Sequence, residues 1–341
     1  MPQPDLSQTA PAVDIRGLKV HFASKNGGPG VKAVDGVSLA IPRGTFHGVI
    51  GESGCGKTTL ARTIIGLQRE TEGSVQIAGR DRAEWQRQDP KAFAREIQFI
   101  FQDPLGSMSR RQTVEQSLEE PLLIHRTGTA EQRRARLAEL LDLVSLPDTV
   151  RDRLPRSLSG GQRQRVSIAR ALALNPSILV CDEPLSALDV SIRAQIVRLF
   201  LELQQKLGLT IIMIAHDLAV IREICTSVTV MYLGRVVEEG QTADLFAKPA
   251  HPYTQALLSA VPSADPRIEQ ARRRILLDGD PPSPRAIPSG CRFHTRCPIA
   301  EAACARIDPV LDFVGHGGRA ACIKADGRAI AVNAAGSNGR G

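Results

Sequence analysis

Apolar positions change period several times along the chain, and the changes mark out its elements. Residues 13–22 (VDIRGLKVHF) and 31–41 (VKAVDGVSLAI) read as short strands, with turn residues at Asn26 to Gly30 and Pro42 to Gly44. Residues 45–50 form an apolar run that stops at a glycine-rich loop, and TTLARTIIGL then follows a helical period. Helical spacing returns over 112–145, in TVEQSLEEPLLIH and AEQRRARLAELLDLV, and reads as a helical insertion between strands. SILVCDE and LTIIMIAHD are β-branched runs too apolar to be half-exposed. Each is followed by a helical stretch, SIRAQIVRLFLELQQKL and AVIREICTS. A strand that is apolar on both sides needs cover on both faces, so this alternation predicts an α/β fold around a parallel sheet.

Composition refines the picture. At 341 residues, with 42% apolar and 23% charged positions, the chain can bury a large core in about two folding units. The net charge of +7 is unevenly spread: from Phe246 onward there are 13 basic and 8 acidic residues and 10 of the 22 prolines. That shift predicts a main domain over 1–245, an extension over 246–325 and a disordered Gly/Ala/Asn-rich tail over 326–341. The longest apolar candidate for a membrane span, LTIIMIAHDLAVI, is interrupted by His216 and Asp217, and the polar opening lacks the features of a signal peptide. The sequence therefore reads as cytosolic, with cysteines kept reduced. Only twelve aromatics accompany the basic residues, so no stacking platform for nucleic acid is expected.

Three motifs carry chemistry. Gly51-Glu52-Ser53-Gly54-Cys55-Gly56-Lys57-Thr58 fits G-x-x-x-x-G-K-[ST], placed between a strand and a helix. Glycines let backbone N–H groups form a nest for phosphates, the helix adds its positive end, Lys57 reaches the outer phosphates and Thr58 can ligate magnesium. Asp182 and Glu183 end a buried strand, where Asp182 can anchor magnesium and Glu183 can orient or deprotonate an attacking water. Leu158-Ser159-Gly160-Gly161-Gln162 precedes the helical RQRVSIARALAL and forms a second anion-binding device. A single nucleotide has one γ-phosphate, so the second device most simply serves a nucleotide held by another subunit.

These motifs in this order resemble the ATP-binding subunits of ABC transporters, over residues 13 to about 245. The resemblance implies a P-loop fold of ABC type, with a mixed sheet and a helical subdomain at about 103–165. It assigns Phe22 to adenine stacking, with His21 a weaker candidate, and Gly51, Ser53, Gly54, Cys55, Gly56, Lys57, Thr58 and Thr59 to the phosphates. It assigns Gln102 to sensing magnesium and water, and Ser159, Gly160, Gly161 and Gln162 to the signature that acts on a partner's ATP. Asp182 becomes a magnesium residue with Thr58 and Gln102, Glu183 the catalytic base, Ser186 to Asp189 the D-loop and His216 the switch histidine. Relatives commonly carry Tyr at the stacking position; Phe22 keeps the π face without the hydroxyl.

The end of the chain narrows the resemblance. HPYTQALLSAVP (251–262), PPSP (281–284) and GCRFHTRCP resemble the dipeptide and oligopeptide importers, whose relatives also carry nickel, opines or glutathione. Implied partners are two separate permease subunits, a second similar ATPase and, indirectly, an extracytoplasmic binding protein; the implied location is the cytoplasmic face of the membrane. Residues from Gln102 to Met108 and the helical insertion are expected to meet the permease. A non-transport ABC ATPase acting on DNA or ribosomes is the distant alternative. Cys291, Cys297, Cys304 and Cys322 can hold zinc or an iron-sulfur cluster, or simply pack as reduced thiols. The resemblance implies a 4Fe-4S cluster, serving as a staple for a loop-rich, metal-binding extension with little core of its own.

Overall fold

The computed structural model describes residues 10–24, 29–186, 188–261, 274–314 and 317–325. The expected disordered tail and residue 187 of the D-loop lie outside the described residues. Strands β1 (Val13–Phe22) and β2 (Val31–Ile41) fall where the apolar alternation puts them. The apolar run becomes β3 (Phe46–Ile50), followed by α1 (Lys57–Ile64). Then come β4 (Glu72–Ile77), β5 (Arg80–Asp81), α2 (Arg82–Gln88), α3 (Pro90–Glu96) and β6 (Ile97–Ile100). The sequence pattern did not resolve these five.

The helical insertion holds α4 (Val114–Ile124) and α5 (Ala130–Leu143), and α6 (Gly160–Leu172) leads back to the sheet. Each of the three starts with a reciprocal cap, Thr113 with Gln116, Thr129 with Gln132 and Ser159 with Gln162, which satisfies orphan donors at the first turn. The alternating section gives β7 (Ile178–Asp182), α7 (Val190–Leu207), β8 (Thr210–Ile214) and α8 (Leu218–Ile224). The chain continues through β9 (Ser227–Tyr232), β10 (Arg235–Gln241), α9 (Thr242–Ala247) and α10 (Pro252–Ser259) to β11 (Asp312–Phe313) and β12 (Arg319–Ala320). Among the described residues no helix is long and apolar enough to cross a membrane.

Two sheets result. One is antiparallel, in the order β2-β1-β4-β5; the other has eight strands in the order β11-β12-β10-β9-β3-β8-β7-β6. Strands β6, β7, β8, β3 and β9 run parallel, and β10, β12 and β11 add antiparallel pairs at one edge. The sheet is therefore mixed rather than parallel throughout. All five residues of β3, β7 and β8 are buried, as a sheet covered on both faces requires. The parallel strands point their carboxyl ends one way, so the segments after β3, β6, β7 and β8 gather there. This end of a parallel sheet is where ligands bind in α/β folds.

The segment after α9 is less of an appendage than its composition suggests. β12 extends the main sheet by pairing with β10, and Tyr253 and Phe293 lie in the same apolar core as Leu179 and Phe200. The segment expected to have little core of its own packs on the core of the main sheet.

Candidate functional site

Four segments at the carboxyl ends of β3, β6, β7 and β8 build the site. The loop after β3 owes its shape to two glycines. At Gly51 a Cβ would lie 2.2 Å from the Met231 carbonyl oxygen, and at Gly56 (φ 107°) it would lie 2.1 Å from that of Ala33, so no side chain fits either place. Gly56 also precedes α1 without any side-chain cap, so no capping side chain competes for the first N–H groups of the helix. Lys57 is 6% exposed, and its ammonium donates to the Gly51 carbonyl at 2.7 Å and the Glu52 carbonyl at 2.9 Å. The loop is thus closed around its own lysine.

A cleft of about 430 Å³ opens beside this loop. It is lined by Phe22, Ser53, Gly54, Gly56, Lys57, Thr58, Thr59, Gln102 and Glu183, joined by Val31 and Ala33 from β2. Residues from five segments, up to 161 positions apart, therefore meet at one volume of about nucleotide size. Phe22 is 40% exposed at its rim, while His21 Nε2 is tied to the Asp35 carboxylate at 2.8 Å. Cys55 is buried behind the loop, 3.7 Å from the Lys57 ammonium, and burial pushes its thiol up.

At the far wall Thr58 donates its hydroxyl to Asp182 Oδ1 at 3.1 Å. Burial raises the Asp182 carboxyl, and this hydrogen bond offsets part of the shift. Gln102 donates to Glu183 Oε2 at 3.0 Å, and His216 Nδ1 stands 3.4 Å from the same oxygen. One carboxylate oxygen is thus flanked by an amide and an imidazole, which fix where it points. Glu183 also sits at φ 47°, a left-handed conformation that costs a non-glycine residue about 1–3 kcal/mol and is concentrated at functional sites.

The signature residues are elsewhere: none of Ser159, Gly160, Gly161 and Gln162 lines the cleft. Ser159 Oγ accepts the Gln162 N–H at 3.2 Å, and Gln162 Oε1 accepts the Ser159 N–H at 3.0 Å. The two glycines differ. A Cβ at Gly160 would make an ordinary 3.6 Å contact with Leu188, whereas one at Gly161 would come within 2.7 Å of the β-branched Ile192. Gly161 is therefore required by the packing of α6 on α7, a role its motif does not announce.

The expected metal centre is not carried by the geometry. Among the described residues no group of three or more His, Cys, Asp or Glu side chains is arranged to hold a metal ion, which leaves both zinc and an iron-sulfur cluster without support from the geometry. All seven cysteines are free thiols. Cys291, Cys297, Cys304 and Cys322 do converge on one cavity, of about 20 Å³, room for roughly one water. Burial pushes Cys297 up to about 11, and the neighbouring Cys322 and Cys291 act in the same direction. The four thiols share this cavity, which as it stands is too small to contain a cluster of iron and sulfur.

Sequence reading missed what joins the last segment to the cleft. His251 caps α10 by accepting the Tyr253 N–H, and Glu238 accepts the N–H groups of Ala250 and His251. Tyr253 is thereby fixed, and its hydroxyl accepts the Glu52 N–H at 2.8 Å. On the other side of the sheet edge a groove of about 390 Å³, lined by Leu67, Phe93, Phe99, Phe101 and Pro121, lies between the helical insertion and the core. Leu67 and Phe101 are exposed there, whereas Met108 is buried.

Comparison with known proteins agrees with this geometry. The ABC transporter family matches residues 34–186, and the C-terminal region of oligopeptide/dipeptide transporters matches residues 237–304. A putative peptide import ATP-binding protein of Brucella ovis is 47% identical over 314 residues, 92% of this chain and 98% of that protein. The oligopeptide transport ATP-binding protein OppF of Escherichia coli is 47% identical over 308 residues, 88% of this chain and 92% of that protein. Among solved structures, a dimeric ATP-binding cassette in a post-hydrolysis state with ADP and Pi superposes with a TM-score of 0.61 at 31% identity, covering 67% of this chain and 98% of that one. The subunit cbiO1 of a Clostridium perfringens ABC transporter complex gives 0.64 at 26% identity, covering 77% and 98%. The chain belongs to the ATP-binding proteins of the ABC transporter family, with the C-terminal region of the oligopeptide/dipeptide type.

Proposed function

We propose that this chain hydrolyses ATP to drive the import of peptides through separate membrane permease subunits, as one of two ATP-binding subunits. The observation that carries the reading is the cleft of about 430 Å³ in which Phe22, the phosphate loop, Gln102 and Glu183 meet. In this reading Phe22 stacks on adenine, the uncapped start of α1 and the loop N–H groups take the phosphates, and Lys57 turns from its carbonyl partners to the outer phosphates. Thr58 and Asp182, with Gln102, would hold magnesium; a buried carboxylate hydrogen-bonded by a hydroxyl suits a divalent cation. The ion supplies charge neutralisation of the phosphates when bound. Glu183 accepts the proton of the attacking water, held in aim by Gln102 and His216.

Ser159 to Gln162 do not line this cleft and would complete the cleft of a second ATP-binding subunit. The dimeric solved relative supports that arrangement. Closure on ATP and release after hydrolysis is then a domain-scale transition biased by the γ-phosphate. The apolar groove beside Phe101 and the helical insertion offers the permease a docking place. The four converging cysteines remain part of the proposal as ligands of a structural 4Fe-4S cluster, which would have to spread them apart. Stoichiometric iron and acid-labile sulfide in anaerobically purified protein is the expected result, and absence of both removes the cluster.

Peptide import itself is tested by uptake of labelled di- and oligopeptides in cells lacking this chain. Uptake is expected to be lost and to return with the wild type but not with Glu183→Gln. Unchanged peptide uptake in those cells would overturn the substrate class.

A further inference from the structure

We propose that the loop between Cys291 and Cys297 is a brace for the nucleotide cleft, with Arg296 and Tyr253 as positioning residues for the phosphate loop. The inference rests on reading the cleft as the ATP site. Glu52, the second residue of the phosphate loop, is held at three atoms. Its N–H donates to Tyr253 Oη at 2.8 Å, its carbonyl accepts Lys57 Nζ at 2.9 Å, and its carboxylate Oε2 accepts from Arg296 Nη1 at 2.8 Å. The Arg296 side chain is only 8% exposed, so this pair is screened from solvent far more than a surface ion pair. A free carboxylate at this position would repel an incoming triphosphate. Arg296 both neutralises it and holds it back.

The same loop reaches the adenine end. Arg292 pairs with Asp35 in a buried contact, and Asp35 also takes His21 Nε2, next to Phe22. Burial alone would raise the Asp35 carboxyl, but the hydrogen bonds from Arg292 and His21 outweigh it and hold the group below the usual carboxylate range. Between the two arginines, Phe293 packs against Tyr232 and Tyr253 with ring centroids 5.3 and 5.4 Å apart, and all three rings are buried. Five consecutive positions, Arg292 to Arg296, thus hold residues next to both ends of the cleft, Asp35 beside His21 and Glu52 in the phosphate loop, around a buried aromatic wedge. A disturbance of the cysteine segment is transmitted to the phosphate loop by direct contact.

The test is steady-state ATP hydrolysis by the full transporter complex, with wild type and Lys57→Ala run beside the brace variants. Arg296→Gln is expected to raise KM for ATP about tenfold, in line with loss of a charged hydrogen bond, with kcat changed by less than about twofold. Arg296→Lys should restore most of the affinity. Glu52→Gln removes the repulsion, so the double variant Glu52→Gln/Arg296→Gln should have a KM close to that of Glu52→Gln alone. Should Arg296→Gln fail to fold, Tyr253→Phe removes only the acceptor oxygen and is expected to raise KM in the same way. An unchanged KM with a lowered melting temperature, or strictly additive effects at Glu52 and Arg296, would overturn the brace while leaving the ATP reading intact. Absence of Lys57-dependent hydrolysis in the wild type would overturn both.

Discussion

Two helices of this protein begin at glycine-containing motifs, and they begin differently. α1 starts after Gly56 with no side-chain cap and with Lys57 at its first position. α6 starts after Ser159 with a closed capping box. An uncapped start leaves N–H donors for a ligand, and the cleft with Phe22, Gln102 and Glu183 lies directly against it. A capped start is complete within its own chain and needs a ligand only when another molecule brings one. In the proposed function, the contrast separates a site that belongs to this chain from one that this chain lends to a partner.

Five substitutions sharpen that contrast, led by the largest expected effects. Lys57→Ala should weaken ATP binding about 10- to 100-fold, the loss of a charged hydrogen bond converted to affinity, as read by nucleotide titration of the single chain. Phe22→Ala should raise the dissociation constant for ATP by roughly tenfold, within the range of about 1–3 kcal/mol for a base stacked on an aromatic ring. GTP, which has the same π face, should be affected in parallel. Gly161→Ala should cost about 1–3 kcal/mol of folding stability by overpacking Ile192, seen as a lower melting temperature. Gly160→Ala should leave stability unchanged or slightly higher, since alanine is the better helix former. Ser159→Ala should cost about 1 kcal/mol through the lost cap and leave ATP binding to the single chain unaltered.

The strands β1, β2, β3, β7 and β8 and the helices α1 and α4 to α8 were legible because each is a long apolar run or a clear helical period. β4, β5, α2, α3 and β6 were not, being two to seven residues long with few apolar positions. Trp85 and Phe93, which pack edge to face across α2 and α3, give too short a pattern to carry a period. The glycine-lysine loop was legible because its chemistry is local. The left-handed backbone of Glu183 was not, because strain leaves no mark in composition. Nor were the contacts of Tyr253 and Arg296 with Glu52, separated by 201 and 244 positions and set by the packing of the last segment on the sheet. The cysteine cluster shows the reverse: its grouping between positions 291 and 322 was legible, while among the described residues no metal-holding arrangement is found.

The central claim is that the cleft of one chain is completed by Ser159 to Gln162 of another. Sedimentation of the hydrolysis-impaired Glu183→Gln variant with a second ATP-binding subunit, with and without ATP, tests it most directly. The account predicts ATP-dependent assembly that is abolished by adding Ser159→Arg, a change that leaves ATP binding to the single chain intact. Assembly that persists with Ser159→Arg, or loss of ATP binding by the single chain carrying it, would contradict the account.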